Sequence, residues 1–400
     1  MNFNTHLQLE PSATVAINTL AMEKKMRGEL IYNLSAGEPM VHTADIVIDA
    51  AIQAMKDGKT HYPPVPGIPE LREQAVSWLN TTYHTHYAMR ECIVTPGGKL
   101  GIYLLLQALV QPGDKVGIIA PYWVSYPSIV KIFGGEPIIL ETEETRNPEK
   151  PGGIGASWKL QIRELEKAIE QNIKVLILNN ASNPTGVLYT KSEIEEILHI
   201  AREHNVLVIS DEVYSGLVYD GEFVSCGSFE EHKNNVVVIQ SCSKHFAMTG
   251  WRVGFVFGPE EIMKILTTLL GQTTSGVATV SQYAALCALE NASTIMLEVK
   301  ETMQKRRNVF MDTYNTLFNT SFSYPVSALY CFLPISSLGI KNTDSKQVCM
   351  ELLDKAGVAT VPGIAFGKEG YIRYAFGEHE EELKGGLYKL KMYLDKKNLS

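Results

Sequence analysis

Four hundred residues exceed one minimal core and predict about two domains. The composition, 45% hydrophobic and 20% charged, is that of a soluble globular chain, and a formal net charge of −8 without a long basic run argues against nucleic acid as a partner. No apolar stretch approaches the roughly 20 residues of a membrane helix, and 1–14 lacks the apolar run of a secretory leader, so the expected compartment is the cytoplasm.

Amphipathic spacing predicts helices over 46–56 and 68–78. A strand at 92–95, a helix at 100–109, a strand at 116–120, a helix at 124–133 and a strand at 137–140 follow. The stretch 142–157, rich in Glu, Pro and Gly, reads as a surface loop. Then come a helix at 160–170, a strand at 175–178, a helix at 192–203 and a strand at 206–209. Two further apolar runs, 236–239 and 253–257, flank Lys244. Continuous apolar strands alternating with helices predict an α/β fold with a mostly parallel sheet covered on both faces. The link 241–252 is near the minimum for a parallel crossover, which leaves an antiparallel direction open for 253–257.

Beyond 290 the pattern changes to that of a smaller α+β unit. A long helix over 293–317 precedes a strand at 329–333, a helix near 345–356, strands at 358–361 and 371–375, and a closing helix. The basic run Lys305-Arg306-Arg307 reads as the solvated face of the long helix. Six cysteines without a C-x-x-C pair read as small buried residues in a reducing compartment. His84 and His86 have no further ligands nearby and read as a polar loop, so no metal is expected. His245 reads as a packing or polar contact.

The most informative run is Ser241-Cys242-Ser243-Lys244, with Arg252 eight residues on. An amine at a strand end is a nucleophile toward carbonyls. A hydroxyl and a guanidinium beside it can hold a phosphate. Together they fit a lysine that forms a Schiff base with a phosphorylated aldehyde, which is pyridoxal phosphate chemistry. The other candidates also fall where ligands of open α/β sheets bind, outside the carboxyl ends of strands. Asp211 ends the run from Val206. Asn183, in N-P-T-G, follows 175–178. Gly97-Gly98-Lys99 follows 92–95 and opens a helix whose free N–H groups suit phosphate. A carboxylate at a buried strand end needs a partner, and a pyridinium N–H would serve Asp211; its other reading is a helix cap.

These motifs resemble the aspartate aminotransferase family, the class I/II aminotransferases of pyridoxal-phosphate fold type I, in its bacterial G-G-K branch. The resemblance runs from Pro11-Ser12-Ala13-Thr14 to Arg373. It implies a large cofactor-binding domain over 46–304 and a small domain made from 1–45 and 305–400. It implies Lys244 as the catalytic lysine, Asp211 as the pyridinium partner, and Tyr214 and Asn183 at the ring hydroxyl. Gly97, Gly98, Lys99, Ser241 and Arg252 would wrap the phosphate. Trp123 would stack on the ring, though it also reads as a core tryptophan. Arg373 would grip the substrate α-carboxylate in two parallel hydrogen bonds, with Gly37 beside it. Tyr62 would reach the phosphate of a neighbouring subunit, which implies a homodimer with shared sites. Lys99 would face the distal carboxylate of an L-amino acid, which favours aspartate with 2-oxoglutarate as the amino acceptor; its other reading is a solvated helix-terminal lysine.

Two departures fall near the substrate: Ser327-Ala328-Leu329-Tyr330 stands where relatives often have S-G-A-F, and Tyr374-Ala375-Phe376 where many have L-S-Y. Glu10 replaces a lysine found in relatives that accept prephenate, which ranks prephenate low. Alanine, aromatic or kynurenine-type aminotransferases and carbon–sulfur lyases of the same fold stay open. A non-catalytic cofactor-binding regulator does not suit a chain that has both Lys244 and Asp211.

Overall fold

A computed structural model describes residues 12–142 and 158–399. After α1 (Ala13–Met26) and β1 (Tyr32–Asn33) come α2 (Asp45–Lys56), α3 (Pro69–Tyr83), β2 (Cys92–Thr95), α4 (Gly98–Leu109), β3 (Lys115–Ile119), α5 (Ser125–Ile132) and β4 (Glu136–Leu140). Next are α6 (Ile162–Glu170), β5 (Ile173–Asn179), α7 (Lys191–Glu203), β6 (Leu207–Asp211), β7 (Val236–Ser241) and β8 (Gly254–Phe257). The chain continues through α8 (Glu260–Thr273), α9 (Thr279–Glu290), α10 (Ala292–Phe318), β9 (Tyr330–Pro334), α11 (Ser345–Glu351), β10 (Val358–Ala359), β11 (Val361–Pro362), β12 (Tyr371–Ala375) and α12 (Glu380–Leu399).

β2 to β8 form one seven-stranded sheet in the order β2-β8-β7-β6-β5-β3-β4. Every neighbouring pair is parallel except those of β8, which runs antiparallel to both β2 and β7. The 241–252 link, near the minimum for a crossover, turns the chain back instead. Alternate side chains of these strands serve opposite cores. Ile93, Ile177 and Ile239 pack with Leu105 of α4 and Leu266 of α8. Val94, Leu176 and Val238 pack with Leu79 of α3, Leu198 of α7 and Ala285 of α9. Both faces are therefore covered, which is why these strands read as continuous apolar runs. Each such side chain, fully buried, contributes about 1.5–3 kcal/mol.

The ends differ from the pattern in instructive ways. α3 runs five residues past the expected 78, because Leu79 and Tyr83 are also buried on its inner face. α1, α8 and α9 are additional to the helices given bounds by spacing. The strand expected at 358–361 is two strands: β10 pairs parallel with β1, and β11 pairs antiparallel with β12. Pro362 lacks an N–H and sits on the edge of the β11-β12-β9 sheet, where none is needed. α10 is continuous across 304. The loop expected at 142–157 lies, except for Thr142, outside the described residues, as does Glu10.

The basic run on α10 is not a solvated face. Lys305 is exposed and pairs with Glu380 at 2.9 Å, but Arg306 and Arg307 are 5% and 4% accessible. Arg307 is held by Asp220 and by the Pro325 carbonyl, and Arg306 bonds main-chain carbonyls near the cavity described below. A charged side chain tolerates burial when its donors are all engaged, and run composition does not reveal such partners. His245 is fully buried; it packs against Trp78 and Phe246, and burial pulls its pKa to about 3. All six cysteines are free and five are buried. Among the described residues no group of side chains could hold a metal ion, and no helix is long and apolar enough to cross a membrane.

Candidate active site

Asn179, Asp211 and Ser241 are the last residues of β5, β6 and β7, so the sheet itself delivers them to one edge. Thr95 of β2 ends at the same edge, paired with Gly254. A cavity of about 650 Å³ opens there. It is lined by Gly37, Gly98, Lys99, Trp123, Asn183, Asp211, Tyr214, Ser241, Lys244, Arg252 and Arg373. Side chains more than 300 positions apart in the chain thus meet in one space. Tyr62 stands outside it, 88% accessible.

Asp211 is 3% accessible and burial pushes its carboxyl up to about 6. Tyr126 donates to Asp211 Oδ2 at 2.5 Å, while Oδ1 has only a long contact of 3.4 Å from the Val213 N–H. One carboxylate oxygen therefore has room for a stronger donor. Tyr126 itself stacks edge-on against Trp123, with centroids 5.3 Å apart. Tyr126 escaped sequence reasoning. Its only signal was its place three residues after Trp123.

A cluster of cations faces this carboxylate. Lys244 Nζ donates to the Gly37 carbonyl at 2.5 Å and lies 5.9 Å from the Tyr214 ring centre. Arg252 sits in the left-handed region at φ 58° and anchors one N–H on the Thr249 carbonyl at 2.8 Å. Gly97, at φ 79°, passes so close that a Cβ there would lie 2.5 Å from Arg252 Nη2. Only glycine fits both that backbone angle and that approach. Ser241 Oγ donates to the Val253 carbonyl at 3.1 Å and lies 2.9 Å from Ser243 Oγ. Lys99, exposed as a whole residue, projects over the Trp123 ring at 4.9 Å. Burial of its amine, then Arg252 and Lys244, pull the Lys99 ammonium below the ordinary lysine value. Among the described residues, Lys99, Lys244 and Arg252 form no ion pair. Mutually repelling cations around a glycine turn and two serines form an anion cradle.

Arg373 lies on the other wall, 1% accessible, with its pKa lowered first by burial. Its Nη2 donates to the Ser35 carbonyl at 2.7 Å and its Nη1 to Asn183 Oδ1 at 3.2 Å. The guanidinium lies 4.4 Å from the centre of the Tyr330 ring, and its Nε has no hydrogen-bond partner among the described residues. An unpaired N–H on a fully buried guanidinium suits an incoming carboxylate. Tyr330 closes this side, with its hydroxyl 2.7 Å from that of Tyr214. A Cβ on Gly37 would meet the Tyr330 hydroxyl at 2.4 Å, so the loop at Gly37 and the ring pack without space between them. The Asn183 N–H is in turn held by Asn179 Oδ1 at 2.8 Å. Asn179 and Ser243 join the expected residues through the fold, and Tyr330, in the sequence only a departure near the substrate, lines the same cavity.

A nucleophilic amine, a buried carboxyl, an anion cradle and a buried carboxylate-binding guanidinium around one cavity fit a cofactor-dependent transferase acting on amino acids. The comparisons agree. Residues 30–389 match the family model described as aminotransferase class I and II. An aspartate aminotransferase of Bacillus subtilis is 33% identical over 394 residues, covering 97% of each chain. A probable aspartate/prephenate aminotransferase of Aquifex aeolicus is 33% identical over 391 residues, again 97% of each. Among solved structures, the aspartate aminotransferase of Thermus thermophilus with maleate superposes with a TM-score of 0.90 at 34% identity, covering 98% of this chain and 100% of that one. The chain belongs to the class I and II aminotransferase family, and it is an aminotransferase.

Proposed function

We propose that this enzyme moves the amino group of L-aspartate to 2-oxoglutarate with pyridoxal phosphate held at Lys244, by a ping-pong cycle. One observation carries the reading: the Lys244 amine and the buried Asp211 carboxyl line one cavity with Arg252 and Arg373. The residues fit the cofactor. Gly97, Gly98, Ser241 and Arg252 would take its phosphate, Asp211 its ring N–H, and Tyr214 and Asn183 its ring hydroxyl. The Asn183 oxygen already accepts from Arg373, which leaves its Nδ2 to donate. Bound there, pyridoxal phosphate supplies an electron sink for the charge left at a substrate Cα when its proton departs.

The protein supplies the rest. Arg373 fixes the α-carboxylate and so aims the Cα–H bond. Lys244 Nζ takes the Cα proton. Asp211 keeps a proton on the ring nitrogen, and that proton is what makes the sink effective. Tyr126 holds Asp211 in place through Oδ2. The division into a large unit, 46–304, and a small one is part of this proposal, because it would let the wall with Arg373 move against the sheet edge with Lys244.

Lys99 supports the dicarboxylate reading, since it is a cation over Trp123 that forms no ion pair among the described residues. Lys99→Ala should lower kcat/KM for aspartate and glutamate by about 1.5–3 kcal/mol and leave phenylalanine nearly unchanged. Phenylalanine is an apt control because it carries the α-carboxylate without a distal one. Equal losses on both substrates would move Lys99 to the phosphate or the fold. Arg373→Ala, in contrast, should weaken every amino acid.

We further propose a homodimer in which Tyr62 of each copy reaches its neighbour's phosphate. The exposure of Tyr62, with the exposed Ile46, Ile52 and Met55 on α2, supports it. Tyr62→Phe should raise the Kd of pyridoxal phosphate about tenfold, the worth of one hydrogen bond to a charged group. A monomer by sedimentation, or unchanged affinity in the variant, would remove this part.

A further inference from the structure

Two chain segments form the wall around Arg373. Residues 34–40 carry Gly37, and 373–377 follow from β12. They are laced together at one end by the Ala375 N–H on the Leu34 carbonyl, 2.8 Å, and by Arg373 Nη2 on the Ser35 carbonyl, 2.7 Å. At the other end the Met40 N–H donates to the Gly377 carbonyl at 3.0 Å. Between these ties the stretch Gly37-Glu38-Pro39 arches into the cavity wall. Gly377 packs directly under it, where a Cβ would fall 1.8 Å from the Glu38 carbonyl oxygen.

Arg306 of α10 clamps the far end. Its Nη1 donates to the Gly377 carbonyl, and its Nη2 donates to the Met40 carbonyl at 3.1 Å and lies 3.3 Å from His379 Nδ1. One planar guanidinium thus binds a carbonyl from each segment. A fork of fixed geometry sets the spacing of two acceptors in a way that a flexible ammonium cannot. Arg306 does not line the cavity, so it acts only through the segments it holds. Burial lowers its pKa from the ordinary arginine value, but an arginine keeps its charge, and its attraction to Glu378 and Glu380 opposes the shift.

We infer that Arg306 is a positioning residue for the substrate carboxylate: it fixes the arch at Gly37 against β12 and so sets the distance between the Gly37 backbone and the Arg373 guanidinium. The inference rests on the reading that Arg373 binds the α-carboxylate. It assigns Arg306 to substrate docking and leaves Lys244, Asp211 and the phosphate cradle to the cofactor. A carboxylate held from two sides weakens steeply when the sides drift apart, because hydrogen bonds fade beyond about 3.2 Å.

The test uses the holoenzyme of wild type, Arg306→Met and Arg306→Lys. KM for aspartate and for alanine is measured along with kcat. Equilibrium binding of the unreactive dicarboxylate maleate is measured by calorimetry, and pyridoxal phosphate retention by absorbance. Arg306→Met should raise both KM values and the maleate Kd together by about tenfold or more, with kcat and cofactor retention within about twofold of wild type. Arg306→Lys should recover part of the loss. If Arg306→Met does not fold, Arg306→Lys, which keeps the charge but not the planar fork, should by itself raise both KM values and the maleate Kd together at nearly unchanged kcat. Loss of cofactor, a fall in kcat at unchanged KM, or an effect on aspartate alone would overturn the inference. If wild type itself neither turns over an amino acid nor binds maleate, the underlying reading of the site fails instead.

Discussion

Lys244→Ala should reduce turnover by about 10²–10⁴-fold, the usual contribution of a positioned proton-transfer group. The cause lies in where the sequence puts the amine. β7 is buried along its whole length and ends at Ser241, and β8 starts at Gly254 and runs back antiparallel to it. The turn between them brings two long side chains to the cavity, Lys244 and Arg252, and Lys244 is the amine, with Nζ on the Gly37 carbonyl. No other amine can substitute. Lys99 approaches the same space from the start of α4 but lies over Trp123. The measurement is borohydride reduction with pyridoxal phosphate followed by peptide mapping, together with single-turnover rates. Label on the Lys244 peptide alone in wild type, and none in the variant, is the expected result. Label on Lys99, or a variant that keeps near-normal rates, would end the assignment.

The strand-end candidates were legible because the sheet is legible. Apolar runs such as Val236 to Ile239 mark buried strands, and polar residues at their carboxyl ends have few structural reasons to be there. Asp211, Ser241 and Lys244 stand out in the sequence on that ground. Tyr126 did not, because its partner Asp211 is 85 residues away and a tyrosine on a helix looks like core. Tyr330 was visible only as a departure from a motif, and its contact with Tyr214 spans 116 residues. The clearest misreading was Arg306 and Arg307. Runs of basic residues on helices are usually solvated, and the exception is set for Arg306 by carbonyls at Met40 and Gly377, from the two ends of the chain, and for Arg307 by Asp220 and the Pro325 carbonyl. Local spacing has no access to partners of that kind. The direction of β8 stayed open in the sequence, because a link near the crossover minimum permits either sense, and its pairing with β7 is what makes it antiparallel.

Asp211→Ala should lower turnover by about 10²–10³-fold while covalent capture at Lys244 persists, because the carboxylate serves the proton on the ring nitrogen and not the lysine. The same residue makes a second prediction that needs no cofactor. In the protein alone, burial raises its pKa from 3.8 to about 6, against the opposing pull of Tyr126, Val213 and Lys244. A raised acid favours the fold while protonated in both states, below pH about 3.8. That stability is lost as the pH rises through about 6, where the folded chain must also ionise. The loss is about 3 kcal/mol on an order-of-magnitude basis. Glu212, raised to about 7 by its own burial, adds a similar slope at slightly higher pH. The comparison is therefore between wild type and Asp211→Asn by urea unfolding from pH 4 to 7. The variant should lose the component between 3.8 and 6 and keep that of Glu212. Adding pyridoxal phosphate should flatten the wild-type curve in the same window, since a cation against the carboxylate lowers its pKa. Identical slopes in the two proteins would show that Asp211 ionises in the folded protein as it does in the unfolded chain, with Tyr126, Val213 and Lys244 fully offsetting its burial, and would overturn the raised pKa.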